Sequence, residues 1–152
     1  MQIAIRPYRD TDWPRLCEIH DRARLDELRG SVDLAAFLPL AETAETEGLF
    51  DGNVWVAWVE DAAVGFVAAA DDEITWLYVH PDYYRRGIGR QLLMHAVEHC
   101  GALVTTEALA GNMAAITLYR NAGFEVVETR SGKLNGNEQF PATGVKLQLR
   151  KA

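Results

Sequence analysis

Val79-His80-Pro81-Asp82-Tyr83-Tyr84-Arg85-Arg86-Gly87-Ile88-Gly89-Arg90-Gln91-Leu92-Leu93 is the stretch that decides how this chain folds. The residues leading into it, 74–79, have the types and period of a strand, which puts Ile74, Trp76 and Tyr78 on one face and Thr75, Leu77 and Val79 on the other. His80-Pro81-Asp82 ends that strand. From Gly87 to His99 the apolar residues Ile88, Leu92, Leu93, Ala96, Val97 and Cys100 recur at the spacing of one helix face. A strand therefore passes through glycines into a helix. Glycines at such a junction let main-chain amides approach an anion closely, and the free N–H groups and dipole of a helix start favour negative charge there. The segment reads as a pyrophosphate cradle flanked by Arg85, Arg86 and Arg90. The three-glycine dinucleotide spacing is absent, as is the Lys-Ser/Thr pair of nucleoside triphosphate loops.

The N-terminal side supplies a strand over 3–8 and a helix that Asp12 can cap and Pro14 can start. Its stripe is Leu16, Ile19, Ala23 and Leu28, and it stops at Gly30. A second helix is expected over 33–46. Strands over 53–60 and 64–70 come next, joined through Asp61-Ala62-Ala63 as an antiparallel hairpin. On the C-terminal side come a strand over 102–108 and a helix capped by Asn112, carrying Met113, Ile116 and Tyr119 and ending at Gly123. The tail from Phe124 to Leu149 supplies two strands around a turn at Asn135-Gly136. No repeat, low-complexity tract or linker interrupts this order, which predicts one α/β domain over 1–152.

Composition agrees with one domain. The 152 residues are 49% hydrophobic and 24% charged, with 5 Pro and 2 Cys, and folding a chain of this length hides roughly 70% of its unfolded surface. The apolar run 62–70 is far below the ~20 residues of a membrane span. The N-terminus lacks the basic-then-apolar pattern of a signal peptide, so the expected location is cytoplasmic. Cys17 and Cys100 have no partner at zinc or redox spacing and read as buried thiols of a reducing compartment. A net charge of −7 argues against a nucleic-acid partner. The charge is unevenly spread. Between Asp10 and Glu73 stand 16 acidic and 4 basic residues, and elsewhere 6 acidic and 11 basic. Either these are solvated faces, or the chain has a basic anion-binding side and an acidic side that admits a cation.

The stretch 79–93 resembles the coenzyme A-binding motif of the GNAT superfamily of acyl-CoA-dependent N-acetyltransferases. Asn112-Met113-Ala114-Ala115-Ile116-Thr117-Leu118-Tyr119-Arg120-Asn121-Ala122-Gly123-Phe124 is similar to the second motif of that superfamily. Element order matches over the whole chain, and motif identity spans 77–124. The resemblance implies a mixed, mostly antiparallel, splayed sheet of about seven strands flanked by about four helices. Acetyl-CoA, as co-substrate and without a metal, would enter the gap between strands 74–79 and 102–108. Leu77, Tyr78 and Val79 would bind its pantetheine arm through their backbones, and Arg85, Arg86, Gly87, Ile88, Gly89 and Arg90 its pyrophosphate. Asn112 would contact the cofactor, and Tyr119 would touch it and protonate the departing thiolate. Tyr84 departs from the family pattern, which opens with Gln or Arg there, and this affects a side-chain contact more than the main-chain cradle.

Acetyl transfer requires an ammonium group to lose its proton before it attacks the thioester. Glu107, five residues before Asn112, is the first candidate base, by its match to the branch that acetylates protein N-terminal amines. Glu73 is the second, His80 the third, and an ordered water is the further alternative. The expected reaction is direct transfer in a ternary complex to a primary amine of a small molecule or peptide. The acidic excess favours a cationic acceptor such as a polyamine, an aminoglycoside-like compound, a basic peptide or a protein amino group. Its site would be built from the first two helices, the strands around Trp55 and Trp58, and the tail with its 133–141 loop. Two readings compete. A non-catalytic acyl-CoA-binding module would keep the Gly87 region without using Tyr119 or Glu107, and His95-Ala96-Val97-Glu98-His99 matches the His-x-x-Glu-His pattern of a zinc-dependent hydrolase. Exposed sheet edges or a swapped tail leave a homodimer open.

Overall fold

The computed structural model describes all 152 residues, Met1–Ala152. Seven strands make one sheet in the order β1-β2-β3-β4-β5-β7-β6: β1 Ile3–Pro7, β2 Asn53–Val59, β3 Ala62–Ala70, β4 Glu73–Val79, β5 Leu103–Leu109, β6 Glu125–Leu134 and β7 Asn137–Arg150. The helices are α1 Trp13–Leu28, α2 Leu40–Thr43, α3 Ile88–Glu98 and α4 Met113–Asn121. Every neighbouring strand pair is antiparallel except β4 and β5, which run parallel. The expected α/β fold, with its mixed and mostly antiparallel sheet, is the one observed.

Strand alternation sorts the core into two layers. Val54 and Val56 of β2 join Leu16 and Ile19 of α1 and Leu40 of α2 on one face. Trp55 and Ala57 join Ile88, Leu92, Leu93, Ala96 and Val97 of α3 on the other, together with Ile116 and Tyr119 of α4. The stripes expected for α1 and α3 are thus the faces those helices bury. Each fully buried leucine, such as Leu92 or Leu93, contributes about 1.5–3 kcal/mol relative to exposure. A third cluster, Leu28, Ala36 and Leu134, ties the end of α1 to the β6–β7 hairpin.

β4 and β5 hold the fold's central irregularity. They pair at two positions only, Glu73 with Thr105 and Ile74 with Thr106. The Thr106 hydroxyl donates to the Ile74 carbonyl at 2.9 Å, at the end of this short ladder. Beyond it the strands diverge. On the other side of β4, the pairing with β3 slips from Ala68–Trp76 to Ala69–Ile74, leaving Thr75 as an extra residue. Such a bulge bends its strand and reverses the facing of the residues after it. The expected face of Ile74, Trp76 and Tyr78 is therefore corrected. Ile74 lies with Leu77 and Val79 on the α3 side, while Trp76 and Tyr78 pack on the α1 side.

Other expectations need local correction. The helix over 33–46 is two fragments, a 3-10 turn Leu34–Ala36 and the single turn α2. Pro39 between them has no N–H to donate and disfavours helical geometry in the residue before it. Asp12 does not cap α1 by its side chain; its Oδ2 accepts the Arg9 N–H at 2.9 Å. The β2–β3 turn is Glu60-Asp61, with Glu60 at φ +55°, and Ala62 and Ala63 belong to β3. Met113 is 61% exposed, so of the three residues expected on the core face of its helix Ile116 and Tyr119 are the buried ones. Cys17 and Cys100 are free and half-buried rather than buried.

Gly65 sits where β3, β4 and α3 converge, and a Cβ there would lie 2.9 Å from the Tyr78 carbonyl oxygen and 3.0 Å from a Leu92 methyl. Gly65→Ala should therefore destabilise the fold by about 1–3 kcal/mol, the usual cost of overpacking. A thermal melt several degrees below the wild type is expected. An unchanged melt would contradict the close approach.

Candidate active site

The cradle is built by main-chain geometry. After β4, His80 caps a 3-10 turn Pro81–Tyr83, its Nδ1 accepting the Asp82 N–H at 3.1 Å. Arg85 and Gly87 then take positive φ angles, 61° and 79°, on either side of Arg86. That alternation turns successive N–H groups toward one concave side. The first backbone bond of α3 runs from the Gln91 N–H to the Gly87 carbonyl at 3.1 Å. The amides of Ile88, Gly89 and Arg90 come before it and are left for a ligand. Arg85, Arg86 and Arg90 are exposed. Tyr84, the departure from the family pattern, turns away from the cradle and donates its hydroxyl to Asp26 of α1 at 3.0 Å.

A cavity of about 540 Å³ lies across β4 and β5. Its floor is Glu73, Ile74, Thr75 and Trp76 of β4 with Glu107 and Ala108 of β5. α1 contributes His20, Arg24 and Glu27 to one wall, and Lys146 and the β6–β7 hairpin contribute to another. The hairpin is fixed in place by Asn137, whose side-chain amide donates to the Ala36 carbonyl at 3.0 Å.

Two carboxylates, Glu73 and Glu107, stand on the cavity floor. Burial raises the Glu73 pKa above its ordinary 4.5, the nearby Glu107 charge adds to the rise, and Lys146 opposes it. Lys146 stands directly across from Glu107 in the β5–β7 register. On the α1 wall, Glu27 accepts the Tyr78 hydroxyl at 2.7 Å and also the Arg24 guanidinium. Burial, then Glu27, pushes the Tyr78 phenol well above its usual value. Sequence reasoning missed His20, Arg24 and Glu27. Their spacing of four and three residues puts them on one helix flank, a polar signal beside the apolar stripe.

Tyr119 is 5% exposed and packs against Phe124 with ring centroids 5.6 Å apart. Burial pushes its phenol up to about 12, with the Thr106 side chain opposing the rise and Glu27 adding to it. Asn112 caps α4, its Oδ1 accepting the Ala115 N–H at 3.2 Å. Leu77, Tyr78 and Val79 lie on β4 past the point where β5 leaves it. His80 lies outside the cavity.

The expected acceptor wall at Trp55 and Trp58 is corrected, since neither lines the cavity. Trp55 packs against His95 and His99, with centroids at 5.1 and 4.8 Å, and Trp58 lies under the Arg6 guanidinium at 4.5 Å. The two histidine rings of the hydrolase-like pattern stack on each other at 4.8 Å. No third His, Cys, Asp or Glu completes a metal site with them. Nor does the acidic excess of the first half converge. Of the acids between Asp10 and Glu73, only Glu27, Glu47 and Glu73 line the cavity, where Arg24, Arg130, Lys133 and Lys146 also stand.

A family model described as an acetyltransferase (GNAT) domain matches residues 50–126, which contain both the cradle and the α4 segment. This chain belongs to the GNAT acetyltransferase family. It is 35% identical over 133 residues to the peptidyl-lysine N-acetyltransferase YjaB of Escherichia coli K12, covering 83% of this chain and 84% of that one. The fold matches a GCN5-related N-acetyltransferase structure from Rhodopseudomonas palustris with a TM-score of 0.81 at 20% identity, covering 99% and 96% of the two chains. It also matches YncA of Salmonella typhimurium, solved with its cofactor acetyl-CoA, with a TM-score of 0.69 at 22% identity over 100% and 95%. GNAT membership makes the chain an N-acetyltransferase, and so an acyltransferase.

The coupling at the cavity floor predicts opposite shifts from two substitutions. Glu107→Gln removes a negative neighbour and should lower the Glu73 pKa, whereas Lys146→Met removes a positive one and should raise it. Carboxyl carbon shifts followed by NMR across pH read both. Shifts of the same sign, or none, would contradict the arrangement.

Proposed function

We propose that this chain transfers the acetyl group of acetyl-CoA directly to an amine carried by a peptide, with both substrates bound across the opening between β4 and β5. The observation that carries the reading is that opening itself, with an anion cradle at one end of β4 and paired carboxylates in the cavity across it. The cradle fits the group. Its unpaired amides and three exposed arginines suit the coenzyme's pyrophosphate, and the free edge of Leu77, Tyr78 and Val79 suits an amide-bearing arm. Bound there, acetyl-CoA supplies an activated acetyl group as a thioester.

The chain's own groups handle the protons. Glu73, whose pKa burial and then the Glu107 charge raise, is the carboxylate placed to take a proton from the ammonium. Glu107 supports it as the neighbouring charge. This orders the candidates differently from sequence reasoning, which places Glu107 first. Tyr119 remains protonated at neutral pH and holds a proton for the leaving sulfur. Burial raises the pKa of both Cys17 and Cys100 and so disfavours their thiolates, which supports direct transfer over an acyl-enzyme. The mixed charge of the cavity favours a peptide over a polyamine, and the relative YjaB is named as a peptidyl-lysine N-acetyltransferase. We assign the activity to the cytoplasm, a setting that fits two free thiols.

Acetyl-CoA at about 100 times its dissociation constant should stabilise the chain by roughly 2.7 kcal/mol, and thiol release should follow when lysyl peptides are added. Stabilisation without release for any amine would reduce the chain to a binding module. Tyr119→Phe should lower kcat by roughly a hundredfold or more, in the range of lost general-acid catalysis, with acetyl-CoA stabilisation kept. An undiminished kcat would remove the phenol from the reaction.

A further inference from the structure

Lysine is scarce in this chain. Against twelve arginines it has three lysines, Lys133, Lys146 and Lys151, and of the two side chains only lysine carries an amine that accepts an acyl group. Lys151 is engaged at the C-terminal end of α3, where its ammonium donates to the Val97 and Cys100 carbonyls at 3.0 and 2.7 Å. Lys133 is exposed and stands opposite Pro141, five residues along β7 from Lys146, roughly 17 Å of extended strand. Lys146 is half-buried and lines the cavity.

Strand register fixes its facing. Glu73 pairs with Thr105 and Lys146 with Glu107, and Thr105 and Glu107 are two residues apart on β5, so Glu73, Glu107 and Lys146 share one face of the sheet. Their neighbours Ile74, Ala108 and Val145 take the opposite face, in the core under α3. Arg24 and Arg130 of the same cavity are paired, with Glu27 and Glu128. Lys146 belongs to no ion pair. A lysyl ammonium, the group that a peptide acceptor would bring, therefore already stands in the acceptor space on the face of both carboxylates. Being tethered, it needs no binding step of its own.

We propose that Lys146 is a self-acetylation site, its Nζ taking the acetyl group of bound acetyl-CoA when no acceptor fills the cavity. The inference rests on the acetyltransferase reading. Nζ enters as an ammonium with three protons and gives one to Glu73. The C–N bond forms as the thioester C–S bond breaks, the sulfur leaves with the electron pair and takes the Tyr119 proton, and a second proton leaves the nitrogen and restores Tyr119 through water. The third stays as the amide N–H, Glu73 returns its proton to solvent, and the coenzyme departs as a free thiol. The product has exchanged a cation for a neutral amide. The Lys146 charge that opposes the Glu73 rise is gone, and the added acetyl group takes up acceptor space. Both effects slow transfer to a peptide, so the modification restrains the enzyme when acceptor is scarce.

The test incubates the wild-type chain with isotope-labelled acetyl-CoA and no acceptor, and maps the label by mass spectrometry. Lys146 should carry one acetyl group, with Lys133 and Lys151 unlabelled, at a rate unchanged by dilution of the chain because transfer is in cis. Glu73→Gln should slow the labelling roughly a hundredfold or more, the range of lost general-base catalysis, and a lysyl peptide should suppress it by competition. Lys133→Arg should label as the wild type does, and Lys146→Arg should carry no label. Once the coenzyme is removed, Glu73 of the acetylated chain should titrate at higher pH than in the unmodified chain, read by carboxyl NMR. The acetylated chain should also turn over lysyl peptide more slowly, in proportion to its label.

Lys146 left unlabelled, in a chain that acetyl-CoA stabilises and that acetylates lysyl peptides, overturns the self-acetylation and leaves the acetyltransferase reading standing. Label on Lys133, Lys151 or the N-terminus instead, a rate that rises with chain concentration, or an equal rate in Glu73→Gln overturns it as well. Absence of both stabilisation and peptide turnover overturns the acetyltransferase reading, and this inference with it.

Discussion

One extra residue in β4 organises the site. Thr75 bulges from the β3 ladder immediately after the two positions at which β4 still pairs with β5. Buried main-chain groups without partners are costly, so sheets rarely open at their centre. Here the opening occurs between the only two parallel neighbours, and the Thr106 hydroxyl takes the Ile74 carbonyl at its apex. The strand edge freed beyond that point can bind an extended ligand through its main chain, as an added strand would. Continuity of β4 with the Arg85–Gly87 turn and α3 then places an anion cradle at the end of the same edge. The bulge also sends Trp76 and Tyr78 toward α1, where they meet His20 and Glu27.

Charge is arranged at short range. The first half of the chain is strongly acidic, yet most of that acidity lies away from the cavity, and what lines it is matched by Arg24, Lys133, Lys146 and Arg130. Arg24 and Tyr78 both spend their hydrogen bonds on Glu27. Glu73 differs, with burial and a like-charged neighbour both acting to keep its proton. A carboxyl so placed, in a cleft and beside an opened strand pair, is where the proposed transfer puts its proton acceptor. The Tyr119 phenol is raised in the same direction, since burial keeps its proton on.

Much of this is legible in the sequence because it is local. The junction from Val79 through Gly87 into α3, the apolar stripes of α1 and α3, the Asn112 cap and the Asn135-Gly136 turn are each set by a few adjacent residues. The features that escape depend on contacts between distant segments. Strict alternation along 74–79 cannot reveal a bulge whose register is fixed by β3. Pro39 is visible, but apolar spacing alone does not show that it splits the second helix. His20, Arg24 and Glu27 escape because the apolar stripe of α1 says nothing of its polar flank. Trp55 and Trp58 are expected in the acceptor wall, whereas pairing turns one toward α3 and sets the other beneath Arg6. Net charge by segment misleads for a similar reason: it counts charges without saying which of them meet.

If the free edge of β4 and the turn into α3 together hold the coenzyme, their amides must be covered when it binds. Amide hydrogen exchange with and without acetyl-CoA reads this directly, residue by residue. Exchange should slow at Leu77 and Val79, whose N–H groups face the free edge, and at Gly87 through Arg90, with little change along β1 and β2. Protection elsewhere, with these amides exchanging as fast as in the free chain, would contradict that placement of the coenzyme.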